Sequence, residues 1–150
     1  MSVELTPSGT RGVRMPALVR SGMKRFSRVI AAALRLFGVR VLELTTTGAK
    51  TGQSRTVTLT WFPDGENAWL VIASYGGSAK HPAWYVNLAK NPDQAWIDVG
   101  GRHIQVRAES LKGAERASAW QRITAVAPNY ATYQAQTDRE IPVVRLTPRE

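Results

Sequence analysis

The sequence predicts a mainly β (α+β) domain in which about six antiparallel strands close into a barrel with flanking helices. Apolar and polar residues alternate with a period of two over residues 55–62, 94–99 and 102–110, as in half-buried strands. Strong turn sequences, Pro63-Asp64-Gly65 and Gly100-Gly101, separate such runs and join them as hairpins. Strands joined in this way are antiparallel, and in this number they favour a barrel.

Length and composition exclude several classes of site. A chain of 150 residues is expected to form one domain with a substantial core. The absence of cysteine excludes disulfides, thiolate metal sites and cysteine nucleophiles, and two histidines are too few for a histidine-rich metal site. No apolar run reaches the ~18 residues of a membrane-spanning helix and no signal peptide is recognisable, so we expect a cytoplasmic protein without a metal.

The net charge of +9 is unevenly distributed. Residues 1–40 carry eight lysines and arginines against Glu4 alone, whereas residues 41–110 carry six basic and six acidic side chains. The basic excess is therefore mainly N-terminal. A nucleic-acid-binding surface spread over the domain would not be expected to have this distribution.

Three regions follow from these patterns. Residues 1–15, rich in Ser, Thr, Pro, Gly and Arg, predict a flexible arm. Residues 16–38, from Pro16 to Gly38, predict an amphipathic helix with a basic face. Such a helix suits the surface of an anionic membrane, but it equally suits packing on the domain with its basic face in solvent. Residues 39–150 then form the barrel domain.

Within the barrel, three further strand segments stand out. Residues 41–44 are apolar and β-branched, 68–74 form a nearly continuous apolar run, and 141–146 read as the last strand. In residues 55–62 the apolar side chains at 57, 59 and 61 share one face and the threonines at 56, 58 and 60 share the other. We expect the apolar face in the core and the threonine face either in solvent or along a polar groove.

Three helical segments are predicted at residues 79–91, 111–127 and 128–136. On the first, Lys80, Trp84 and Asn87 fall on one face, which fits the wall of a ligand site, although a tryptophan capped by surface residues would give the same pattern. The second carries a stripe of core residues. The third places Tyr130 and Tyr133 three residues apart.

The segment from Thr46 to Arg55 is the candidate anion site. Gly48 and Gly52 bracket Lys50 and Thr51 between two predicted strands. Since glycine tolerates positive φ and close backbone approach, this turn can direct backbone N–H groups, an ammonium and a hydroxyl at one phosphate. The alternative is an ordinary hairpin turn with a solvated lysine.

The sequence lacks the common motifs for nucleotide binding and for hydrolysis. A Walker A loop requires its lysine after the second glycine and a helix behind it, and no Gly-x-Gly-x-x-Gly occurs. No paired carboxylates or Ser-His-Asp set stands out. A reaction performed mainly by a bound cofactor is therefore expected.

Four motifs occur together in a characteristic order. They are Thr46-Thr47-Gly48-x-Lys50-Thr51-Gly52-Gln53-x-Arg55, Ala73-Ser74-x-Gly76-Gly77, Lys80-x-Pro82-x-Trp84-Tyr85-x-Asn87-Leu88-x-x-Asn91-Pro92 and Tyr130-x-x-Tyr133-x-x-x-Thr137-Asp138-Arg139-x-Ile141-Pro142. Over residues 40–146 the chain resembles the deazaflavin-dependent nitroreductase family of actinobacteria, whose members use reduced coenzyme F420. The resemblance implies a split β-barrel related to FMN-binding barrels.

The resemblance also implies a role for each motif. Lys50, Thr51 and Arg55 would hold the phosphate and acidic tail of coenzyme F420. The strand residues Thr56, Val57, Thr58 and Leu59 would run along the coenzyme, and Ala73 and Ser74 would approach its ring. The wall would comprise Trp84, Tyr85 and Asn87, with Tyr130 and Tyr133 covering the ring. The implied catalytic side chains are Ser74, Tyr130 and Tyr133.

The expected function is therefore an F420H2-dependent oxidoreductase that passes hydride to an electron-poor acceptor, a quinone or a nitroaromatic. The basic segment at residues 16–38 favours the quinone, because it could hold the domain at a lipid surface. Two alternatives remain: an FMN-binding split-barrel reductase, and a non-catalytic binder of anionic lipid or nucleic acid. The sequence predicts no oligomeric state.

Overall fold

The computed structural model describes residues 2–13 and 40–149. The predicted amphipathic helix at residues 16–38 lies outside the described residues. Within them, the chain forms one curled antiparallel sheet of seven strands with three helices, the half-barrel expected of a split β-barrel.

The strands follow the predicted runs closely. In chain order they are β1 (Val41–Thr47), β2 (Ser54–Thr60), β3 (Phe62–Pro63), β4 (Trp69–Ile72), β5 (Ala95–Val99), β6 (Arg102–Ser110) and β7 (Val143–Pro148). Their order in the sheet is β2-β1-β5-β6-β7-β4-β3, and every neighbouring pair is antiparallel. The predicted hairpin at Gly100-Gly101 joins β5 to β6, with both glycines at the positive φ that a tight turn requires.

The seventh strand arises where the sequence predicts one continuous strand over residues 55–62. The backbone N–H of Trp61 donates to the carbonyl of Arg40 at 3.1 Å, which is the last hydrogen bond in register with the pairing of β1 and β2. Phe62 and Pro63 then pair with β4 on the other side of the sheet. The strand is therefore divided at Trp61, and the prediction of about six strands becomes seven.

Three helices pack on the sheet: α1 (Ala83–Lys90), α2 (Gly113–Val126) and α3 (Asn129–Gln136). The first begins four residues later than predicted. Pro82 precedes it in an extended conformation with φ −66° and ψ 151°, and a proline also disfavours helical geometry in the residue before it. Lys80 consequently lies outside the helix and does not share the face of Trp84 and Asn87.

The buried residues form two clusters on opposite sides of β4. Trp69 and Val71 belong to the barrel core, which lies inside the curled sheet, whereas Leu70 and Ile72 belong to a second cluster beneath α2 and α3. All four β4 residues are buried, so the strand reads as a continuous apolar run rather than an alternating one. This arrangement places the end of β4 between the two cores.

The N-terminal residues 2–13, here called the strap, are held against the domain. Val3 is buried in the barrel core. The carboxylate of Asp138 accepts hydrogen bonds from the backbone N–H groups of Thr10 and Arg11, each at 2.8 Å. The sequence predicts a flexible arm over residues 1–15; in the structure its described part makes these contacts.

The strap also contacts the loop that follows β4. The N–H of Gly9 donates to the carbonyl of Ala79 at 2.8 Å, and the N–H of Val13 donates to the carbonyl of Gly77 at 2.9 Å. A Cβ at Gly12 would lie only 2.3 Å from the Ala79 nitrogen, so no side chain fits there. The strap therefore supports this loop from outside the barrel.

Candidate functional site

A cavity of about 1100 Å³ opens between strand β2, helix α1, the turn after β1 and the loop after β4. Three of the four motifs singled out in the sequence supply most of its walls, and Tyr130 from α3 contributes the fourth side. The curl of the sheet brings these segments together, because β1 and β2 pair at one edge while β4 lies towards the other. Residues far apart in the chain thus share one cavity.

The turn between β1 and β2 is closed by its own backbone. The N–H of Gly48 donates to the carbonyl of Gln53 at 2.8 Å, and the N–H of Gly52 donates to the carbonyl of Gly48 at 2.9 Å. Gly52 has φ +71°, and a Cβ at Gly48 would lie 2.9 Å from the Thr51 hydroxyl oxygen. Both glycines are therefore required by the geometry of the turn.

Asn87 joins this turn to helix α1. Its side-chain oxygen accepts the N–H of Ala49 at 3.0 Å, and its side-chain nitrogen donates to the hydroxyl of Thr46 at 3.0 Å. Asn87 is buried, so both bonds are protected from water. Several N–H groups of the turn are consequently used within the protein, and the positive side chains carry more of the attraction for an anion than the sequence alone suggests.

Lys50 and Arg55 give this end of the cavity its positive charge. Both line the cavity and both are exposed. Arg55 donates to the side-chain oxygen of Gln53 at 3.2 Å, and no carboxylate among residues 2–13 and 40–149 forms an ion pair with either cation. With Thr51 beside them, they can bind an anionic group that reaches out to solvent.

Strand β2 forms one long side of the cavity. The four residues predicted to run along a coenzyme, Thr56, Val57, Thr58 and Leu59, all line it. Val57 and Leu59 also pack against the barrel core. Since β2 is an edge strand of the sheet, residues from both of its faces can border the cavity, which gives this wall a mixed polar and apolar surface.

The loop after β4 forms the deep end. Ser74 is 9% exposed and lines the cavity together with Tyr75 and Gly76. Tyr75 has φ +44°, a left-handed conformation that is uncommon for a residue with a side chain. The strained residue thus lies at the cavity wall, where strain is most often functional.

Tyr130 borders the same end from helix α3. Burial raises its pKa, an effect only partly offset by a hydrogen bond to the Thr60 side chain, so its hydroxyl stays protonated at neutral pH. Its ring contacts Phe62 edge-on, with ring centroids 5.8 Å apart. Tyr130 can therefore offer a hydrogen bond or a proton to a molecule in the cavity.

Trp84 and Asn87 line the cavity as predicted for the wall of helix α1, but three other predicted residues do not. Tyr85 is fully buried and its hydroxyl donates to the carbonyl of Glu4, because adjacent helical residues point about 100° apart. Ala73 is fully buried. Tyr133 packs edge-on against Tyr130, with centroids 5.8 Å apart, and supports it from outside.

Other lining residues were not predicted. They are Ile72, Thr60, Pro82, Ala83 and Val86, with Tyr75 and Gly76 of the loop. For Tyr75 and Gly76 the sequence carried a signal, since the glycine pair Gly76-Gly77 after an apolar strand marks an irregular loop. The others required knowledge of how the sheet curls.

The cavity has two chemically different ends. One is exposed and cationic, with Lys50 and Arg55; the other is more enclosed and is bordered by Ser74 and Tyr130. A ligand with a flat ring system at one end and a negatively charged tail at the other fits this arrangement. The residues present therefore suit a deazaflavin or flavin coenzyme with a phosphate.

Comparison with known proteins gives a consistent result. The sequence model of the family described as F420H(2)-dependent quinone reductase matches residues 18–148. The chain is 45% identical, over 111 residues, to a Mycobacterium tuberculosis protein named F420H(2)-dependent quinone reductase; the match covers 72% of this chain and 73% of that protein.

Solved structures are similar as well. A structure described as an F420-H2 dependent reductase superposes with a TM-score of 0.64 and 37% identity, covering 71% of this chain and 93% of the other. A FAD-binding protein from Mesorhizobium loti superposes with a TM-score of 0.50 over 81% of this chain and 88% of its own, at 14% identity. The second likeness concerns the fold alone.

Proposed function

This chain belongs to the F420H(2)-dependent quinone reductase family, and we propose that it transfers a hydride from reduced coenzyme F420 to a quinone. The family match confirms the resemblance to F420-dependent oxidoreductases inferred from the four motifs, and with it the cofactor. It supports this function over an FMN-dependent reductase or a non-catalytic binder. Reduction of a nitroaromatic stays a prediction.

The observation that carries the proposal is the cavity with one cationic and one aromatic end. Lys50, Thr51 and Arg55 would hold the phosphate and acidic tail, through charge-assisted hydrogen bonds worth roughly 1.5–3 kcal/mol each. Trp84 and the β2 residues would contact the ring system along the cavity. The exposed position of the two cations suits a tail that extends into solvent.

When bound, the reduced deazaflavin supplies the hydride. The protein binds and orients the two reactants, excludes water from the deep end and supplies a proton. Reduction of a quinone to a quinol consumes one hydride and one proton, and the proton goes to a quinone oxygen. Ser74 and Tyr130 have hydroxyl groups at the deep end and are the proposed donors, replenished from solvent; Tyr133 would act through its contact with Tyr130.

The direct test mixes purified full-length chain with reduced coenzyme F420 and a menaquinone analogue and follows oxidation of the coenzyme by absorbance. We expect enzyme-dependent oxidation that requires the quinone. A set of quinones of different ring size and tail length, with a nitroaromatic in parallel, separates the acceptor classes. If no quinone supported oxidation while the coenzyme still bound, the proposed acceptor would be wrong.

We also propose that residues 16–38 bring the site to a membrane surface. Their basic and apolar residues recur at helical spacing on opposite faces, a pattern that suits binding to the surface of an anionic membrane. The described residues on either side of this segment, Val13 and Arg40, bond to Gly77 and Trp61, which directly follow residues that line the cavity. No helix among residues 2–13 and 40–149 is long and apolar enough to cross a bilayer.

Sedimentation with vesicles tests this proposal. In the full chain, Lys24→Glu combined with Arg28→Glu should abolish binding to vesicles that contain anionic lipid. The matched control is Lys90→Glu with Arg102→Glu, which changes the net charge by the same amount at exposed positions of α1 and β6. It should leave binding to the vesicles nearly unchanged. Equal losses in both variants would indicate a general charge effect and contradict a role for residues 16–38.

A further inference from the structure

Arg139, in the segment between α3 and β7, makes a set of contacts that the proposed reaction does not yet use. It is 3% exposed. Its Nε donates to the carbonyl of Ser78 at 2.8 Å, Nη1 to the carbonyl of Ala73 at 3.0 Å, and Nη2 to the carbonyl of Ser74 at 2.7 Å. One guanidinium group therefore binds three carbonyls of a single loop, residues 73–78.

The charge of Arg139 has no carboxylate partner among the described residues. The neighbouring Asp138 binds the strap instead. Nη1 of Arg139 also lies 3.3 Å from Nδ1 of His81, whose Nε2 lies 2.7 Å from the carbonyl of Thr6. Burial lowers the pKa of His81, so the neutral ring can accept from Arg139 and donate to Thr6. The guanidinium is thus dedicated to backbone and ring acceptors rather than to an ion pair.

The loop that Arg139 holds follows an unusual course. Tyr75, Gly76 and Gly77 have φ of 44°, 61° and 83°, three left-handed residues in succession. Such a course is uncommon where a residue carries a side chain, and it needs support from the surrounding structure. The planar, forked donors of an arginine match a fixed set of acceptors in a way that a lysine ammonium does not.

The same loop faces the cavity through Ser74, Tyr75 and Gly76. Because the carbonyl of Ser74 is directed at Arg139, the N–H of the same planar peptide, which belongs to Tyr75, is directed the opposite way. That direction leads away from the guanidinium, and Tyr75 itself lines the cavity. The Ser74 carbonyl also accepts the N–H of Gly77 at 2.9 Å, so the buried Arg139 side chain and one bond within the loop together fix the orientation of this peptide.

We infer that Arg139 is a positioning residue of the coenzyme site: by holding the carbonyls of Ala73, Ser74 and Ser78, it presents the Ser74 hydroxyl and the Tyr75 N–H to the ring of the deazaflavin. This inference rests on the proposed function, because it assigns the deep end of the cavity to the ring. It separates Arg139, which acts on the ring end, from Lys50 and Arg55, which act on the tail.

The test compares two ligands by calorimetric titration: intact coenzyme F420, and its deazaflavin nucleoside, which lacks the phosphate and acidic tail. Arg139→Lys should raise the Kd of both ligands about tenfold or more, the effect of losing one hydrogen bond to a charged donor. Lys50→Ala should raise the Kd of the intact coenzyme alone. A variant that had only lost stability would show fewer binding sites per molecule at an unchanged Kd.

Arg116→Lys is the matched control. Arg116 is also largely buried and donates to a backbone carbonyl, that of Ile141, at 2.6 Å, but it borders a separate small cavity of about 110 Å³. We expect this variant to bind both ligands as the wild type does. If Arg139→Lys bound the nucleoside with the wild-type Kd, the inference about Arg139 would be overturned, and the proposed function would still stand. If the wild-type chain bound neither ligand, the proposed function would fail and the inference with it.

A measurement on the unaltered chain covers the case in which Arg139→Lys does not fold. In the ¹⁵N-labelled wild type, saturation with the nucleoside should shift the Nε–H resonance of Arg139, which donates to Ser78, and leave that of Arg116 in place. An unchanged Arg139 resonance at saturation would mean that the loop does not respond to the ring, and would overturn the inference.

Discussion

Lys50 and Arg55 are the two residues proposed to hold an anionic ligand at the open end of the cavity. Both cations are exposed and neither is paired with a carboxylate in the part of the chain that the structure describes. A ligand phosphate would therefore not have to displace an existing ion pair. The attraction also does not require burial of either charge, which would be costly.

Lys50→Ala is expected to raise the Kd of coenzyme F420 more than tenfold, because one charge-assisted hydrogen bond is worth about 1.5–3 kcal/mol and about 1.4 kcal/mol corresponds to a factor of ten. Quenching of intrinsic tryptophan fluorescence measures the Kd, with Trp84 at the cavity wall as the reporter. Lys90→Ala, at the exposed end of α1, is the control and should bind normally. Equal affinity of the Lys50 variant and the control would place the acidic tail elsewhere.

At the level of single residues, the sequence predicted what depends on local geometry. Gly48, Lys50 and Gly52 were identifiable because a tight turn between two strands has few solutions. The part played by Asn87 was not fully identifiable: spacing placed it on the cavity side of a helix, but its two bonds to the turn join residues 38 and 41 positions apart. Contacts of that separation are set by the fold rather than by a local pattern.

At the level of elements, helix α1 shows both the value and the limit of periodicity. Trp84 and Asn87 share the cavity face as their spacing predicts, since both lie within Ala83–Lys90. Lys80 was placed on the same face only because the helix was expected to begin at residue 79. Tyr85 was assigned to the wall by resemblance, although its position on the helix turns it into the core.

The strap is an element that composition did not reveal as ordered. Serine, threonine, proline and glycine are typical of flexible segments, yet the same small residues permit the close approach seen at Gly9 and Gly12. The bonds of the strap to Asp138 and to Gly77 join residues far apart in the sequence, so no local pattern predicts them. Through Gly77 and Ala79 the strap reaches the loop at the deep end of the cavity.

Asp138 gives the strap a measurable pH dependence. Hydrogen bonds from Thr10 and Arg11 lower the pKa of Asp138 from 3.8 to about 2. Its stabilising contribution is therefore complete above the unfolded value of 3.8 and is lost as the pH falls towards 2. Asp138→Asn should lower the urea midpoint at about pH 6, and the difference from wild type should shrink at about pH 2.5.

Asp93→Asn is the control for this prediction. Asp93 is an exposed carboxylate that pairs with Arg107 at 3.1 Å, remote in sequence from the strap. Hydrogen exchange of the Val13 amide, which donates to Gly77, should quicken in the Asp138 variant and not in the Asp93 variant. Unaltered exchange at Val13 in both variants would show that Asp138 does not hold the strap.

At the scale of the whole molecule, the sheet order brings the functional segments together. The antiparallel class and the flanking helices were predictable from alternation and turn sequences, because each hairpin is a local structure. The order β2-β1-β5-β6-β7-β4-β3 was not, since it requires β1 to pair with β5 and β4 with β7 across long stretches of chain. The resemblance to a known family supplied that information, and the cavity depends on it.

A structure of the full chain with oxidised coenzyme F420 at saturating concentration tests the central claim most directly. We predict that the phosphate lies within hydrogen-bonding distance of Lys50 or Arg55, and that the ring lies at the deep end beside Ser74 and Tyr130. A coenzyme bound outside the cavity, or placed with its ring at the cationic end, would contradict the account.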